Sequence, residues 1–188
     1  GQWLAEAGYI VEEVEPPDMA EAARLWDTLA GQRPDAFAVN SGFVGHRVRK
    51  FYRREPTVIH PPVYVDDMPL TVQKDGPYVT AGRLVGYKRF DLVIEAFRKL
   101  PDQSLVVAGS GAELAALQAD APGNVRFTGW LPDAEMRGLI ARSRAFVFAG
   151  VEDFGILPIE AQACGTPVIA LNQGGLRETM VGLDGSGE

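Results

Sequence analysis

The sequence predicts an α/β protein with a Rossmann-like parallel sheet and helices on both of its faces. Between residues 78 and 171, strand-length apolar runs alternate with segments of helical periodicity, which is typical of βαβ units. These runs lack polar alternation, as expected for strands that helices cover on both faces. A glycine follows each of the first four runs, at the strand ends where open parallel sheets bind ligands: Gly82, Gly109, Gly129 and Gly150.

The elements of this sheet follow one another at regular spacing. Apolar runs predict strands over residues 78–81, 104–108, 125–128, 145–149 and 167–171. Helical spacing predicts helices that begin near residue 90, span 112–118 and 133–142, and run from about 155 to 164. Because the carboxyl ends of parallel strands meet at one edge of a sheet, the loops that follow them are expected to line one crevice.

The first third of the chain has a less regular pattern. Asp18 is the predicted cap of a helix that ends at Gly31 and has four apolar residues on one face: Ala22, Leu25, Trp26 and Leu29. Ser41 is the predicted cap of a second helix, which lies between short strands over 36–39 and 57–59. Basic residues 47–54 favour a solvated helix face over a ligand or membrane contact. Residues 66–77 have the composition of a linker.

Composition excludes several functions. The 188 residues carry a formal charge of -7, which argues against a nucleic-acid partner because phosphate backbones need a basic face. The single cysteine, Cys164, cannot form a disulfide within the chain, and this fits a reducing cytoplasmic location. No apolar run approaches the roughly 20 residues of a membrane helix, and the first residues do not resemble a signal peptide.

The strongest motif lies between Glu152 and Glu160, after the fourth predicted strand. A helix that begins at Gly155 tolerates Pro158, because a proline in the first turn forfeits no intrahelical hydrogen bond. The amides of residues 154–156 would then point into the crevice and suit a phosphate group. The two carboxylates can accept hydrogen bonds from sugar hydroxyls or from a ribose diol.

Other strand ends add cations and glycines. Arg83 and Lys88 follow Gly82 and can reach the same phosphates as positive charges, without a metal ion. Gly174 and Gly175 permit close backbone approach, and Glu178 can begin another helix. Gly109-Ser110-Gly111 is a short flexible turn that would line the same crevice, and it is a weak signal by itself.

Each signal also has a less specific explanation. Glutamates at a helix start often only complement the helix dipole, and Arg83 and Lys88 by themselves resemble solvated loop charges. Trp130 suits the core or the rim as well as a base contact. Asp153 stands beside Glu152, but the further ligands that a cation needs are missing. Three other residues fit structural roles: His46, His60 and Cys164. The joint occurrence of these signals at consecutive strand ends favours a ligand site.

In combination, these segments resemble the family 4 glycosyltransferases, which are retaining enzymes with two facing Rossmann-like domains, the GT-B architecture. The likeness rests on Asn40-Ser41, residues 58–63, residues 81–84 with Lys88, residues 127–130, and the run from Glu152 to Glu178. Residues 87–89 and 153–156 are similar to the bacterial mannosyltransferases that build surface polysaccharides. Three residues depart from that branch: His60, Gly86 and Gly150.

The resemblance implies a division of the chain and a role for each motif. Residues 1–62 would be the remnant of an acceptor-side N-terminal domain, and residues 63–188 a donor domain truncated near its C-terminal end. The catalytic residues would be Arg83, Lys88 and Glu152, the two cations on the diphosphate and the glutamate on the donor sugar. The other donor contacts would be Gly82, Gly109, Trp130, Leu131, Phe154, Gly155, Ile156 and Glu160. Among them, Glu160 would hold the ribose, and the backbone near residues 130–131 would face the base.

The implied function is hexosyl transfer from a nucleotide diphosphate sugar, with GDP-mannose favoured, to a glycan or lipid-linked acceptor. The resemblance implies no cofactor and no metal ion, and it leaves open a peripheral contact of the full-length enzyme with the inner face of the membrane. Without most of the acceptor domain, the chain is expected to bind donor without turnover. Alternatives are a non-catalytic nucleotide-sugar-binding module and an epimerase or phosphorylase of the same fold. A dehydrogenase is disfavoured, because no Gly-x-Gly-x-x-Gly opens the first helix of the unit.

Overall fold

The computed structural model describes residues 18–182. Its first elements are helix α1 (Met19–Ala30), strand β1 (Ala38–Val39), helix α2 (Gly42–Tyr52) and strand β2 (Thr57–Val58). Both predicted helix caps are confirmed, because the Asp18 carboxylate accepts from the Ala20 amide and Ser41 Oγ accepts from the Val44 amide. Strands β1 and β2 pair in parallel and form a small sheet of their own.

The apolar face of α1 packs into no core within residues 18–182. Leu25, Trp26 and Leu29 are all more than half exposed, and no residue of this helix is buried. A polar contact instead joins α1 to α2, in which Tyr52 Oη donates to the Asp27 carboxylate at 2.8 Å. The predicted helix therefore exists, but its hydrophobic stripe finds no buried partner among the described residues.

A five-stranded parallel sheet forms the rest of the fold, with strand order β5-β4-β3-β6-β7. The strands are β3 (Tyr78–Ala81), β4 (Leu105–Ala108), β5 (Val125–Gly129), β6 (Phe146–Phe148) and β7 (Val168–Ala170). After β3 come a short 3-10 turn (Gly86–Lys88) and α3 (Phe90–Arg98), followed along the chain by α4 (Leu114–Asp120), α5 (Asp133–Arg142), α6 (Ile156–Ala163) and α7 (Leu176–Thr179). Each element predicted between residues 78 and 171 is present within a few residues of its expected bounds. Across the described residues, none of the helices has the length and apolar content needed to cross a membrane.

Helices cover both faces of this sheet, which confirms the predicted fold class. On one face, α3 buries Phe90, Val93 and Phe97 against the strands. On the other face, Ile140 of α5 and Ala161 of α6 lie in a second buried cluster. Burial of one large apolar side chain contributes about 1.5–3 kcal/mol, so these two clusters supply most of the hydrophobic stabilisation that holds the strand ends in place.

The order of the strands creates a switch point at the centre of the sheet. The chain moves outward from β3 through β4 to β5, and then returns to place β6 on the opposite side of β3. The two sets of crossover connections diverge from this point, and open α/β sheets leave a ligand crevice there. The switch point lies between β3 and β6. Gly82 directly follows β3, and Gly150 lies two residues after the end of β6.

The segment predicted as a linker has no regular secondary structure between residues 66 and 77, but it is anchored to the core. Met68 is buried in the cluster beneath α5 and α6. Lys74 Nζ donates to the carbonyl oxygens of Ala141 at 2.6 Å and Cys164 at 2.9 Å, and to Thr166 Oγ1 at 2.9 Å. These carbonyls lie at the C-terminal ends of α5 and α6, where the helix dipoles favour a cation. Burial lowers the pKa of Lys74.

Candidate functional site

Two adjoining cavities open at the carboxyl ends of the strands around the switch point. Cavity A has a volume of about 520 Å³ and is lined by the loops after β3, β4 and β5 together with α5 and α6. Cavity B has a volume of about 470 Å³ and is lined by the ends of β3 and β6, by the start of α6, and by Asn40 and Pro61. Leu157, in the first turn of α6, lines both cavities.

The catalytic and donor-contact residues that the resemblance implies all line one of these two cavities, whereas Gly174, Gly175 and Glu178 line neither. Those in cavity A are Gly82, Arg83, Gly109, Trp130, Leu131 and Glu160. Those in cavity B are Lys88, Glu152, Phe154, Gly155 and Ile156. The strand-end loops thus line two adjoining cavities that share Leu157, with Arg83 in cavity A and Lys88 in cavity B. Trp130 is 71% exposed and forms part of the rim of cavity A.

An ion pair between Lys88 and Glu152 crosses the switch point. Lys88 Nζ lies 2.7 Å from Glu152 Oε1, and both side chains are largely withdrawn from solvent. Glycines on either side leave room for the lysine. A Cβ at Gly82 would come within 3.3 Å of Lys88 Nζ, and a Cβ at Gly150 would come within 2.7 Å of Lys88 Cα. The pairing neutralises two charges that would otherwise be costly to withdraw from water.

The start of α6 lies between the two cavities. Gly155 is the N-cap and has a φ of 91°, a left-handed conformation that glycine adopts without the strain of a side chain. Pro158 is the third residue of the helix, as the motif predicts. Helix geometry leaves the amides of the first turn without intrahelical acceptors, so the positive end of the helix dipole is directed toward this junction.

Glu160, one turn further along α6, lines cavity A. Burial raises its pKa above the ordinary value of 4.5; Arg137 opposes this rise and Asp133 adds to it. Arg137 and Asp133 also line cavity A, and the sequence reasoning did not identify either of them. They stand four positions apart in α5, so they share a helix face. This four-residue spacing is the sequence signal that could have identified them as a pair.

The loop glycines allow backbone atoms of neighbouring segments to approach closely. A Cβ at Gly109 would lie 1.9 Å from the carbonyl oxygen of Gly82, so these two loops touch each other. A Cβ at Gly175 would lie 2.2 Å from the carbonyl oxygen of Asp153, and the Gly175 amide donates to the Glu152 carbonyl at 2.8 Å. Another segment of this chain therefore makes the close backbone approach expected at residues 174–175, and Gly109 has a contact of the same kind.

The N-terminal part of the described chain reaches the rim of cavity B. The His60 ring stacks on Phe154 with ring centroids 5.5 Å apart, and its Nδ1 lies 3.0 Å from the Asn40 carbonyl oxygen. These contacts agree with the structural role predicted for His60. Arg47 pairs with Asp153 at 3.1 Å, so this acidic side chain already has a cationic partner. Within residues 18–182, no group of three or more His, Cys, Asp or Glu side chains is arranged to hold a metal ion.

Two further contacts of the N-terminal part with the rest of the described chain could not be predicted from the sequence. Asn40 and Pro61 line cavity B although they precede the sheet. The carboxylate of Glu178, which belongs to α7 and does not begin it, accepts from the amides of Gly42 and Phe43, each at 2.8 Å. The Glu178 contacts span 136 and 135 residues, and only the folded chain brings these groups together.

Strand order, switch-point cavities and a bare helix start define a Rossmann-like domain with a ligand crevice at its switch point. A profile of the family described as glycosyl transferases group 1 matches residues 66–184. The chain therefore belongs to this glycosyltransferase family.

Individual proteins agree with this assignment. A GDP-mannose-dependent monoacylated alpha-(1-6)-phosphatidylinositol monomannoside mannosyltransferase of Corynebacterium glutamicum is 30% identical, over 85% of this chain and 52% of its own length. A D-inositol 3-phosphate glycosyltransferase of Mycobacterium sp. (strain JLS) is 31% identical, over 76% of this chain and 38% of its own length. The chain thus spans about half of the first relative and less of the second. The fold is shared with Anabaena Alr3699/HepE, solved in complex with UDP-glucose, with a TM-score of 0.73 at 18% identity over 85% of this chain and 51% of that one.

Proposed function

We propose that this chain binds a nucleotide diphosphate sugar across cavities A and B, as the donor-binding part of a retaining glycosyltransferase. The observation that carries the proposal is the junction of the two cavities at the first turn of α6. An elongated ligand with a diphosphate at its centre would place its charge at this positive helix end. Its two arms, a nucleoside and a sugar, would then extend into separate cavities.

The nucleoside fits cavity A. The backbone beside Trp130 and Leu131 would face the base, and Glu160 would accept two hydrogen bonds from the ribose diol. Arg83 lines the same cavity and would reach the phosphate nearer the ribose. A partly buried carboxylate suits a neutral diol well, because charge-assisted hydrogen bonds are the stronger kind.

The sugar fits cavity B, with Glu152 on its hydroxyls and Lys88 on the second phosphate. As the glycosidic bond breaks, negative charge grows on the departing diphosphate. Arg83, Lys88 and the amides of residues 154–156 would stabilise that charge as fixed donors, which is the usual source of rate enhancement in such a site. Lys88 would exchange Glu152 for the phosphate, and the carboxylate would become free to accept from the sugar.

The division of the chain follows the same logic. Residues 1–62 would be the remnant of the acceptor-side domain and residues 63–188 the donor domain. The support is that β1 and β2 form a sheet separate from the five-stranded one, and that Asn40 and Pro61 approach cavity B from outside the donor sheet.

GDP-mannose is the proposed donor, and a glycan or lipid-linked molecule the proposed acceptor. The support comes from the sequence similarity at residues 87–89 and 153–156, and from the relative of Corynebacterium glutamicum, which is named as GDP-mannose-dependent and as acting on a phosphatidylinositol mannoside. A donor of this kind needs no metal ion when the cations and the helix start neutralise the diphosphate.

A thermal-shift panel of GDP-, UDP-, ADP- and dTDP-sugars tests the proposal. A ligand at 100 times its dissociation constant adds about 2.7 kcal/mol to stability, so the melting temperature should rise with the GDP-sugar. Glu160→Ala should abolish the rise. Glu135→Ala, an exposed glutamate on α5 outside both cavities, is the matched control and should behave like the parent.

The outcomes separate the parts of the proposal. No shift with any of the sugars would refute nucleotide-sugar binding. A stronger response to UDP-sugars would overturn the mannosyl assignment and leave the class intact. A Glu160→Ala variant that binds like the parent would show that the ribose lies elsewhere.

A further inference from the structure

Glu178 joins the two parts of the described chain. Its Oε2 accepts from the Gly42 amide and its Oε1 from the Phe43 amide, each at 2.8 Å, across sequence separations of 136 and 135 residues. These amides belong to the first turn of α2, which has no intrahelical acceptors for them. Ser41 Oγ takes the next amide, that of Val44, at 3.1 Å. The start of α2 is therefore held by one local cap and one carboxylate from α7.

The segment that carries Glu178 is itself bound to the backbone of the candidate site. Gly174 pairs with Glu152 in a short parallel bridge, and the Gly175 amide donates to the Glu152 carbonyl at 2.8 Å. Glu178 lies four positions after Gly174. A short, hydrogen-bonded connection thus runs from the Glu152 backbone in cavity B to the start of α2.

The start of α2 sets the position of Asn40. This residue lies two positions before Gly42 and lines cavity B together with Lys88 and Glu152. Its carbonyl oxygen also contacts His60 Nδ1 at 3.0 Å. An asparagine side chain offers both donors and an acceptor, which suits a sugar hydroxyl.

We infer that Glu178 is a positioning residue, which docks α2 on the donor part so that Asn40 faces the sugar in cavity B. The inference rests on the proposed function, because it requires a sugar in that cavity. Two oxygens are needed for two amides. Glutamine at this position would turn an NH2 group toward one of the N–H groups and lose that bond. Gly42 leaves room for the carboxylate, since a Cβ there would lie 3.3 Å from Oε2.

Calorimetric titration with GDP and with GDP-mannose tests this role, because GDP fills cavity A and the helix junction while the sugar adds cavity B. Glu178→Gln should weaken GDP-mannose binding about tenfold and change GDP binding less than twofold. Asn40→Ala should have the same pattern, and the double variant should be no worse than either single one, since both changes remove one contact. Arg177→Gln, the exposed neighbour on α7, is the control and should bind both ligands like the parent.

The results distinguish this inference from the proposal beneath it. If the parent binds neither GDP nor GDP-mannose, the proposed function fails. If the parent binds both and Glu178→Gln weakens them equally or not at all, the positioning role is wrong. Should Glu178→Gln not fold, Asn40→Ala still decides: an unchanged ratio of the two affinities would overturn the inference.

Discussion

Replacing Gly109 with alanine should destabilise the domain strongly, because two loops of cavity A touch at this point. The new Cβ would lie 1.9 Å from the carbonyl oxygen of Gly82, whereas a Cβ essentially never approaches another atom within 3.0 Å. The loops would have to separate by about 1.1 Å. The Gly82 amide on the Ala108 carbonyl at 3.0 Å ties these two loops together, and the Gly109 amide on the Gly129 carbonyl at 2.7 Å ties the second loop to the end of β5.

The magnitude follows from these contacts. A separation of this size stretches one of the two bonds beyond the roughly 3.5 Å limit, and a buried amide without its partner costs about 1–3 kcal/mol. Gly109 also has a φ of 132°, which strains an alanine by about 1–3 kcal/mol. The expected loss in the free energy of unfolding is therefore about 2–6 kcal/mol, a large share of the about 5–15 kcal/mol of a typical domain.

Urea unfolding measures this loss, and Gly138→Ala provides the control. With an m-value of about 2 kcal/mol/M, the Gly109→Ala midpoint should fall by about 1 M or more. Gly138 lies inside α5, and beyond its chain neighbours and the backbone of its own helix no atom lies within 4 Å of its Cβ position, so alanine there should raise stability by about 0.5–1 kcal/mol. Equal midpoints for Gly109→Ala and the parent would refute the reasoning, as would a Gly138→Ala variant that is equally destabilised.

Two further perturbations test the electrostatics of the site and of the core. Burial holds the pKa of Glu160 above 4.5, so its proton is bound more tightly in the folded state, and its contribution to stability is present at low pH and lost as the pH rises through that pKa. In the proposed function the ionised Glu160 accepts from the ribose diol, so donor titrations across pH should show affinity falling on acidification from a higher pH than an ordinary glutamate gives, and Glu160→Gln should flatten that dependence. Lys74→Met should lower the unfolding free energy by about 1–3 kcal/mol, because three acceptors lose a charged donor. Lys99→Met, at a lysine whose side chain is 76% exposed, should stay within about 0.5 kcal/mol of the parent in the same denaturation assay, and equal losses for both lysines would contradict the role of Lys74.

The sheet was predictable because its signals are local. Strands covered on both faces are continuous apolar runs, and the glycines that follow them mark places where loops meet. The start of α6 was predictable for the same reason, since Gly155 and Pro158 fix a helix N-terminus within four residues. The caps Asp18 and Ser41 likewise act over two or three residues.

The features that the sequence did not predict depend on contacts between residues that lie far apart in the chain. Helical periodicity in α1 gave a helix, but it cannot state whether Trp26 meets a core, and in the described chain that residue is exposed. Asn40 lines cavity B from outside the five-stranded sheet, and Glu178 reaches the start of α2 across the fold. Arg137 lines cavity A only because α5 follows the third strand end. The linker was predicted from composition, and composition does not indicate the stabilising role of Lys74. That role arises because the C-terminal ends of two helices meet beside its side chain.

The Lys88–Glu152 ion pair has a consequence for how this site can diverge. Each residue serves as the counter-ion of the other, and neither side chain has much access to water. A change at one position alone strands the remaining charge, which is more damaging than replacing both together. Homologues that lose the activity are therefore expected to lose both residues together. A sequence that keeps only one of them should have another residue of opposite charge nearby.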